Sequence, residues 1–190
     1  TGQARGLAAF YSRAITDPNW GLRATWRGAD AEGTFLSLRD KGGGKIFRSN
    51  AYETREYLPT GLSSQASFAR LRGQFDQWGA AGLVSIRDYG LGRHNWVLGS
   101  DFNATLSEHN SMRGHVLLSN TTVGFDEHDQ AFRQSGQNGS YIWLEGRQRS
   151  EEWANTLHLE RLSPRFANDN GFVNQTGVQR ITAQINRRMG

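Results

Sequence analysis

Between Trp96 and Leu106 the chain reads WVLGSDFNATL, and the alternation within it sets the fold class. Trp96, Leu98, Phe102, Ala104 and Leu106 share one parity, while Gly99, Asp101, Asn103 and Thr105 share the other. Successive side chains of a strand point to opposite faces, so this stretch has one apolar and one polar face. It is longer than an ordinary strand of about 5–6 residues and matches the roughly 9–11 that a tilted strand needs to cross a bilayer. An aromatic residue opens the apolar face, as at a membrane–water boundary.

The same alternation recurs along the chain. WGLRATWRG sets Trp20, Leu22, Ala24 and Trp26 against Arg23, Thr25 and Arg27. Near 33–40, Leu36 and Leu38 are read as opposing Ser37 and Arg39. In 66–75, Ala69, Leu71 and Phe75 oppose Arg70, Arg72 and Gln74; in 79–88, Val84 and Ile86 oppose Ser85 and Arg87. In 111–120, Met112, Val116 and Leu118 oppose Arg113, His115 and Ser119. Residues 176–186 set Ile181, Ala183 and Ile185 against Arg180, Thr182 and Gln184. A hairpin over 139–148 and 152–161 carries apolar residues, the aromatics Tyr141 and Trp143 among them, on both parities of its first arm. A strand over 7–15, with Ala8 and Phe10 outward and Tyr11 and Arg13 inward, brings the expectation to about ten strands.

The connections sort by length. GADAE, DQWG, SEHN and RQRSEE are tight, and mostly longer stretches lie between them, near 41–65, 121–137 and 162–175. A sheet with one tight end and one loop-rich end has the asymmetry of an outer-membrane barrel. A soluble β-sandwich has no reason to sort its turns this way. Residues 50–58 are the only stretch read as a turn of helix.

Composition agrees with this reading. Only 36% of the 190 residues are hydrophobic, and no apolar run is long enough for a membrane helix. A transmembrane barrel averages out in this way because half of each strand faces a polar interior. There is no cysteine, which removes disulfides and thiolate metal sites. The start, TGQARGLAAF, has no charged and apolar leader, so for an exported protein the leader is expected to lie outside the sequence. The net charge is +4 and is carried almost wholly by arginine, with Lys41 and Lys45 the only lysines. These arginines stand singly inside strands instead of forming a phosphate-tracking run, so no nucleic-acid partner is expected.

Together these features predict an all-β antiparallel meander forming one transmembrane outer-membrane β-barrel domain, or a segment of one, over residues 1–190. The lipid-facing or girdle residues are Trp20, Leu22, Trp26, Leu36, Leu38, Leu71, Val84, Ile86, Trp96, Leu98, Phe102, Val116 and Leu118. The lumen-facing residues are Arg23, Arg27, Arg39, Arg70, Arg72, Arg87, Arg113 and Arg180. Such arginines either draw anions into a pore or pair with Asp101, Glu145 and Glu160.

No catalytic, cofactor or metal site is expected. Glu127, His128 and Asp129 are adjacent in a loop, where neighbours seldom converge on one ion. His115 and Ser119 share a face but lie about 13 Å apart along a strand. DKGGGK over 40–45 lacks the helix that a phosphate-binding loop requires. The expected partners are outer-membrane lipid and other envelope proteins or remaining strands of the barrel; a glycan ligand has no support in the residues themselves. The expected function is that of a non-enzymatic channel, uptake component or membrane anchor with the long loops 41–65, 121–137 and 162–175 as its recognition surface; the alternatives are a soluble secreted β-sandwich that binds carbohydrate and, behind it, an outer-membrane hydrolase.

Four segments taken together resemble one family of Gram-negative outer-membrane barrels of unknown function: AFYSRAITDPNWGLRATWRG, FLSLRDKGGGK, NWVLGSDFNATLSEHNSMRGHVLLSN and LSPRFANDNGFVNQTGVQRITAQI. In that family the barrel follows a family-9-like carbohydrate-binding domain. FANDNGFVNQTG is the most specific piece. The resemblance implies a cell-envelope location and a barrel longer than this chain. It implies no catalytic residue. The end INRRMG lacks the aromatic terminus that a complete barrel uses, so the strands are expected to form an arc completed by residues outside this sequence.

Overall fold

The structure, a computed structural model, describes residues 7–8, 10–59 and 61–188. In chain order the elements are β1 (Leu7–Ala8), a 3-10 turn (Ser12–Ala14), β2 (Pro18–Arg27), β3 (Ala31–Asp40), β4 (Ile46–Ser49), β5 (Thr54–Tyr57) and β6 (Ser64–Phe75). They continue as β7 (Trp78–Asp88), β8 (His94–Thr105), β9 (Asn110–Phe125), β10 (Ala131–Arg149), β11 (Trp153–Leu162), β12 (Phe172–Val173) and β13 (Val178–Arg187). Nine of the strands form one antiparallel sheet in the order β13-β11-β10-β9-β8-β7-β6-β3-β2. The protein is therefore all-β. The sheet does not close: β2 and β13 are its edges, and β1 pairs with β12 in a separate small sheet.

Tight turns at 28–30, 76–77, 106–109 and 150–152 lie at one end of the sheet. At the other end, 41–63 carries the β4–β5 hairpin, 89–93 and 126–130 are short, and 163–177 contains β12. Two expected loops are thus corrected. Residues 121–137 are mostly strand, because β9 and β10 extend past the sheet as one ladder with a break between Arg133 and Gln137. Residues 50–58 hold β5 instead of a helical turn, since Arg48 and Glu56 lie in a two-stranded register in which Arg48 pairs with Arg55.

The expected first strand also differs. Beyond β1 the segment leaves extended pairing, Tyr11 donating its N–H to the Asn170 carbonyl (2.8 Å) and Ala14 accepting from the Lys45 N–H (2.9 Å). Phe10 packs on the inward Phe68 ring, 5.2 Å between centroids, so it does not point outward. The side chain expected for Ala8 lies outside the described residues.

Cross-strand registers assign the two faces. Trp26, Gly33, Leu71, Gly82, Ser100, Val116 and Ile142 lie in one row of the outer face. Arg72, Ala81, Asp101, His115, Trp143 and Glu160 lie in one row of the inner face. This register corrects three expectations on β3. Leu36 and Leu38 stand opposite Phe68 and Ala66 on the inner face, Leu38 being buried, while Arg39 stands on the outer face beside Trp20. FLSLRD is apolar on both parities, and the outward aromatic is Phe35. Ser37, outward, is fixed by hydrogen bonds with Ser67 (2.8 Å) and Gln65 (2.8 Å).

The outer face leaves large apolar side chains in the open. Leu22 is 60% exposed, Leu71 61%, Leu98 53% and Ile185 72%. From Trp78 to Ile86 the outward residues of β7 cover about 26 Å of strand at roughly 3.3 Å per residue. Polar outward residues bound this belt: Arg39, Gln65, Asp88 and Asn120 toward the loops, Asn110, Gln148 and Asn155 toward the turns.

Candidate functional site: the inner face of the sheet

At the loop-rich end the inner face is covered by the chain itself. Residues 166–171 lie buried against it, although the sequence places them in an external loop. The segment's backbone and the Asp169 and Asn170 side chains are bonded to the surrounding sheet and loops. The Asp169 N–H donates to Asn95 Oδ1 (2.9 Å), and Asn95 Nδ2 donates to the Ala167 carbonyl (3.0 Å). Asn170 Nδ2 reaches Ser85 Oγ (3.0 Å) and the Ile86 carbonyl (2.9 Å), and the Ala167 N–H reaches Ser119 Oγ (3.2 Å). Gly139 lets the segment approach, because a Cβ there would sit 2.3 Å from Phe166 Cα.

Two buried ion pairs hold this segment. Arg48 Nη1 donates to Asp169 Oδ1 (2.5 Å), and the Tyr89 hydroxyl donates to Asp169 Oδ2 (2.8 Å). Arg87 donates from Nη2 to Asp40 Oδ2 (2.6 Å), from Nη1 to the carbonyls of Ala14 (3.1 Å) and Asp169 (3.2 Å), and from Nε to Ser64 Oγ (3.0 Å). Asp40 also accepts from the N–H groups of Thr16 (3.1 Å), Asp17 (2.8 Å) and Gly42 (3.2 Å). Arg87, Asp40 and Asp169 are fully buried, so their charges persist because nearly every lone pair and proton is matched. Gly44, at φ +100°, is required where the chain passes the Arg87 guanidinium. Burial pushes the Tyr89 hydroxyl well above its ordinary value of 10.0, and the Asp169 charge adds to this. Burial works against the charge of Arg48, but Asp169 outweighs it and raises that group.

Beneath this segment an apolar layer of Leu83, Val97, Leu117, Tyr141, Trp143 and Leu162 packs against Phe166 and Val173. The sequence reading expected a polar interior here; Tyr141 and Trp143 on the parity opposite Ile142 and Leu144 were the available signal.

Toward the tight turns the inner face is wetter. Glu145 accepts from Arg113 Nε (2.5 Å) and Arg147 Nε (2.7 Å), and His158 Nε2 lies 2.7 Å from its other oxygen. Arg70 meets Asp101 at 2.8 Å, Arg180 meets Glu160 at 2.9 Å, and Arg72 faces Glu32 at 3.7 Å. His115 stacks on Trp143, 5.3 Å between centroids, with the Arg113 guanidinium 5.3 Å from the Trp143 ring.

The structure therefore places Arg23, Arg27, Arg70, Arg72, Arg87, Arg113 and Arg180 on the inner face and Arg39 on the outer. Asp101, Glu145 and Glu160 are the partners of Arg70, Arg113 and Arg180. Arg87 belongs to the buried network, separate from the others. Of the outward set, Trp20, Leu22, Trp26, Leu71, Val84, Ile86, Trp96, Leu98, Phe102, Val116 and Leu118 occupy the outer face. Asp40, Arg48, Tyr89, Asn95 and Asp169 were not singled out by sequence, because the contacts that join Asp40 to Arg87 and the others to one another span 47 or more residues and leave no local signature. Among the described residues no group of histidine, aspartate and glutamate is arranged to hold a metal ion. Comparison with protein-family models, with curated proteins and with solved structures returned no match.

Proposed function

We propose that this chain is a wall segment of a bacterial outer-membrane β-barrel, a non-enzymatic envelope protein that anchors its loop-rich end at the cell surface. The observation that supports it is the pairing of an exposed apolar outer face with an ion-paired inner one. In water that outer face would be a large apolar patch of the kind that monomeric soluble proteins avoid. In lipid it is the expected surface. The tryptophans fit the same reading: Trp20 and Trp96 stand outward toward the loops, and Trp26, Trp78 and Trp153 outward toward the turns, as two interfacial girdles. The similarity of the FANDNGFVNQTG stretch to an outer-membrane family supports the location as well.

Anchoring is favoured over a freely open anion pore. The loop end is filled by residues 166–171, and most inward arginines already have carboxylate partners. Recognition is then left to the β4–β5 hairpin and the turn at 126–130, with Tyr52 almost wholly exposed at the tip.

The test is quenching of tryptophan fluorescence by brominated lipids after reconstitution of the full chain into vesicles. Five of the six tryptophans face outward, so quenching is expected to be strong, and strongest when bromine is placed near the headgroups. Absence of quenching at any depth, with the protein recovered without detergent, would replace the membrane reading with a soluble sandwich whose second layer covers this face.

A further inference from the structure

The two edges of the sheet differ in what they ask of a neighbour. Eight successive antiparallel pairings separate β2 from β13, so the two edge strands run in the same direction. Joining them directly would create a parallel pair in an otherwise antiparallel sheet. All-antiparallel closure needs an odd number of further strands, which brings the total to the even count of bacterial barrels. In a closed barrel some other strand would therefore lie against β2.

The chemistry of that strand follows from the inner face of β2. Arg23 and Arg27 stand there, and among the described residues neither side chain has an ion pair or a hydrogen bond. Elsewhere on this face the register repeatedly places a carboxylate opposite an arginine. Arg113 is the direct partner of Glu145 and Glu160 of Arg180, while Glu32 stands between Arg72 and Arg27 and engages Arg72 (3.7 Å) and not Arg27; Arg23 faces Leu36. The β13 edge makes no such demand: its Arg180 is already paired, and Thr182, Gln184 and Asn186 follow it along the same face.

We infer that the free edge of β2 receives an antiparallel strand with outward apolar residues and two inward carboxylates four residues apart, placed opposite Arg23 and Arg27. A second copy of this chain is disfavoured as the occupant. Its β2 would set Arg27 and Arg23 against these same arginines, and its β13 would bring Arg180 and no acid. Like charges directly opposite one another destabilise a ladder, whereas opposite charges support it. The inference deepens the barrel reading by giving the missing neighbour a chemistry.

The experiment uses the full chain in detergent and three synthetic strands of ten residues, apolar at alternate positions. The two inward sites four residues apart are Glu, Ser or Lys. Binding is followed through the fluorescence of the chain, with a variant set of Arg23→Glu plus Arg27→Glu. The Glu strand is expected to bind about tenfold more tightly than the Lys strand, from two cross-strand pairs of up to about 1 kcal/mol each. The double variant is expected to reverse that order, a result that a generally sticky edge would not give. Equal binding of the three strands, binding of none, or self-association of the chain that no strand displaces would each overturn the inference. The result is read in detergent, so it stands apart from the vesicle test of the membrane reading.

Discussion

Arg87 and Arg113 lie on the same face of the same sheet, each beside a carboxylate, yet their surroundings make them different. Arg87 and Asp40 have fully buried side chains, while Arg113 is 29% exposed beside Glu145. At the loop end the chain's own segment excludes water, so every donor must find a protein partner. At the turn end the basic side chains keep contact with water, so an exposed pair such as Arg180–Glu160 is a weak preference, although the Glu145 carboxylate shared by Arg113, Arg147 and His158 is itself buried. The lesson is that one face carries two kinds of charge: one fixes the position of residues 166–171, the other keeps the interior wettable. The loop end should therefore hold most of the stability of the inner face.

The largest test of that contrast is Asp40→Ala. It leaves Arg87 buried without its counter-charge and strips the acceptor from three backbone N–H groups. A loss of about 3–5 kcal/mol is expected for breaking a buried pair. Urea unfolding in detergent, followed by tryptophan emission, measures it. A loss below about 1 kcal/mol would mean that the loop end is as wet as the turn end.

Two glycines of β10 sharpen the comparison within one strand. A side chain at Gly139 would collide with the Phe166 backbone, whereas one at Gly146 would meet nothing within 4 Å. Gly139→Val is expected to cost about 1–3 kcal/mol by displacing the covering segment, as overpacking does. Gly146→Val should be neutral or slightly stabilising through strand propensity. Limited proteolysis reads the difference, with new cleavage between 163 and 177 in the first variant alone. Similar protection in both would show that residues 166–171 do not press on the sheet.

These contrasts also show what the sequence could reveal. Period-two alternation set the outer face of β2, β6, β7, β8 and β9, because one parity there is mostly apolar along the strand, even though Phe68, Leu83, Val97 and Leu117 add apolar residues to the other. It misplaced Leu36, Leu38 and Arg39, where Phe35 competes for the outward parity and only the pairing with β2 and β6 decides. The inner cover was hidden for another reason. FANDNG reads as an exposed turn to any local rule, since Asn, Asp and Gly are turn formers. Its burial depends on Asn95, Arg87 and Tyr89, which lie more than 70 residues away in sequence. The open edges could be expected from the chain's terminal strands, but not the small β1–β12 pairing that takes the first residues out of the main sheet.

A smaller effect concerns pH. The Tyr89 hydroxyl is held protonated in the folded protein, its value raised by burial and by Asp169. A group raised on folding contributes stability that is complete below the unfolded value of 10.0 and is lost as pH rises toward the folded one. The covering segment should therefore loosen progressively above pH 10, and Tyr89→Phe should flatten that dependence while lowering stability at neutral pH through the lost bond to Asp169. Cleavage between 163 and 177 across an alkaline series checks it. An identical alkaline profile in the variant would assign the loosening to another group.

The smallest expected effect lies at the turn end and can break the comparison outright. Arg180 meets Glu160 at 2.9 Å with its side chain 46% exposed. Holding two long side chains together in water offsets most of the attraction, so Arg180→Gln should cost no more than about 1 kcal/mol. The Tyr141 hydroxyl still donates to Glu160 (3.1 Å), so the carboxylate is not left alone. The same urea series provides the measurement. A loss near 3 kcal/mol would show that this end is shielded as thoroughly as the Arg87 site. The interior would then be one dry core from loops to turns, and the inward arginines would serve structure at both ends.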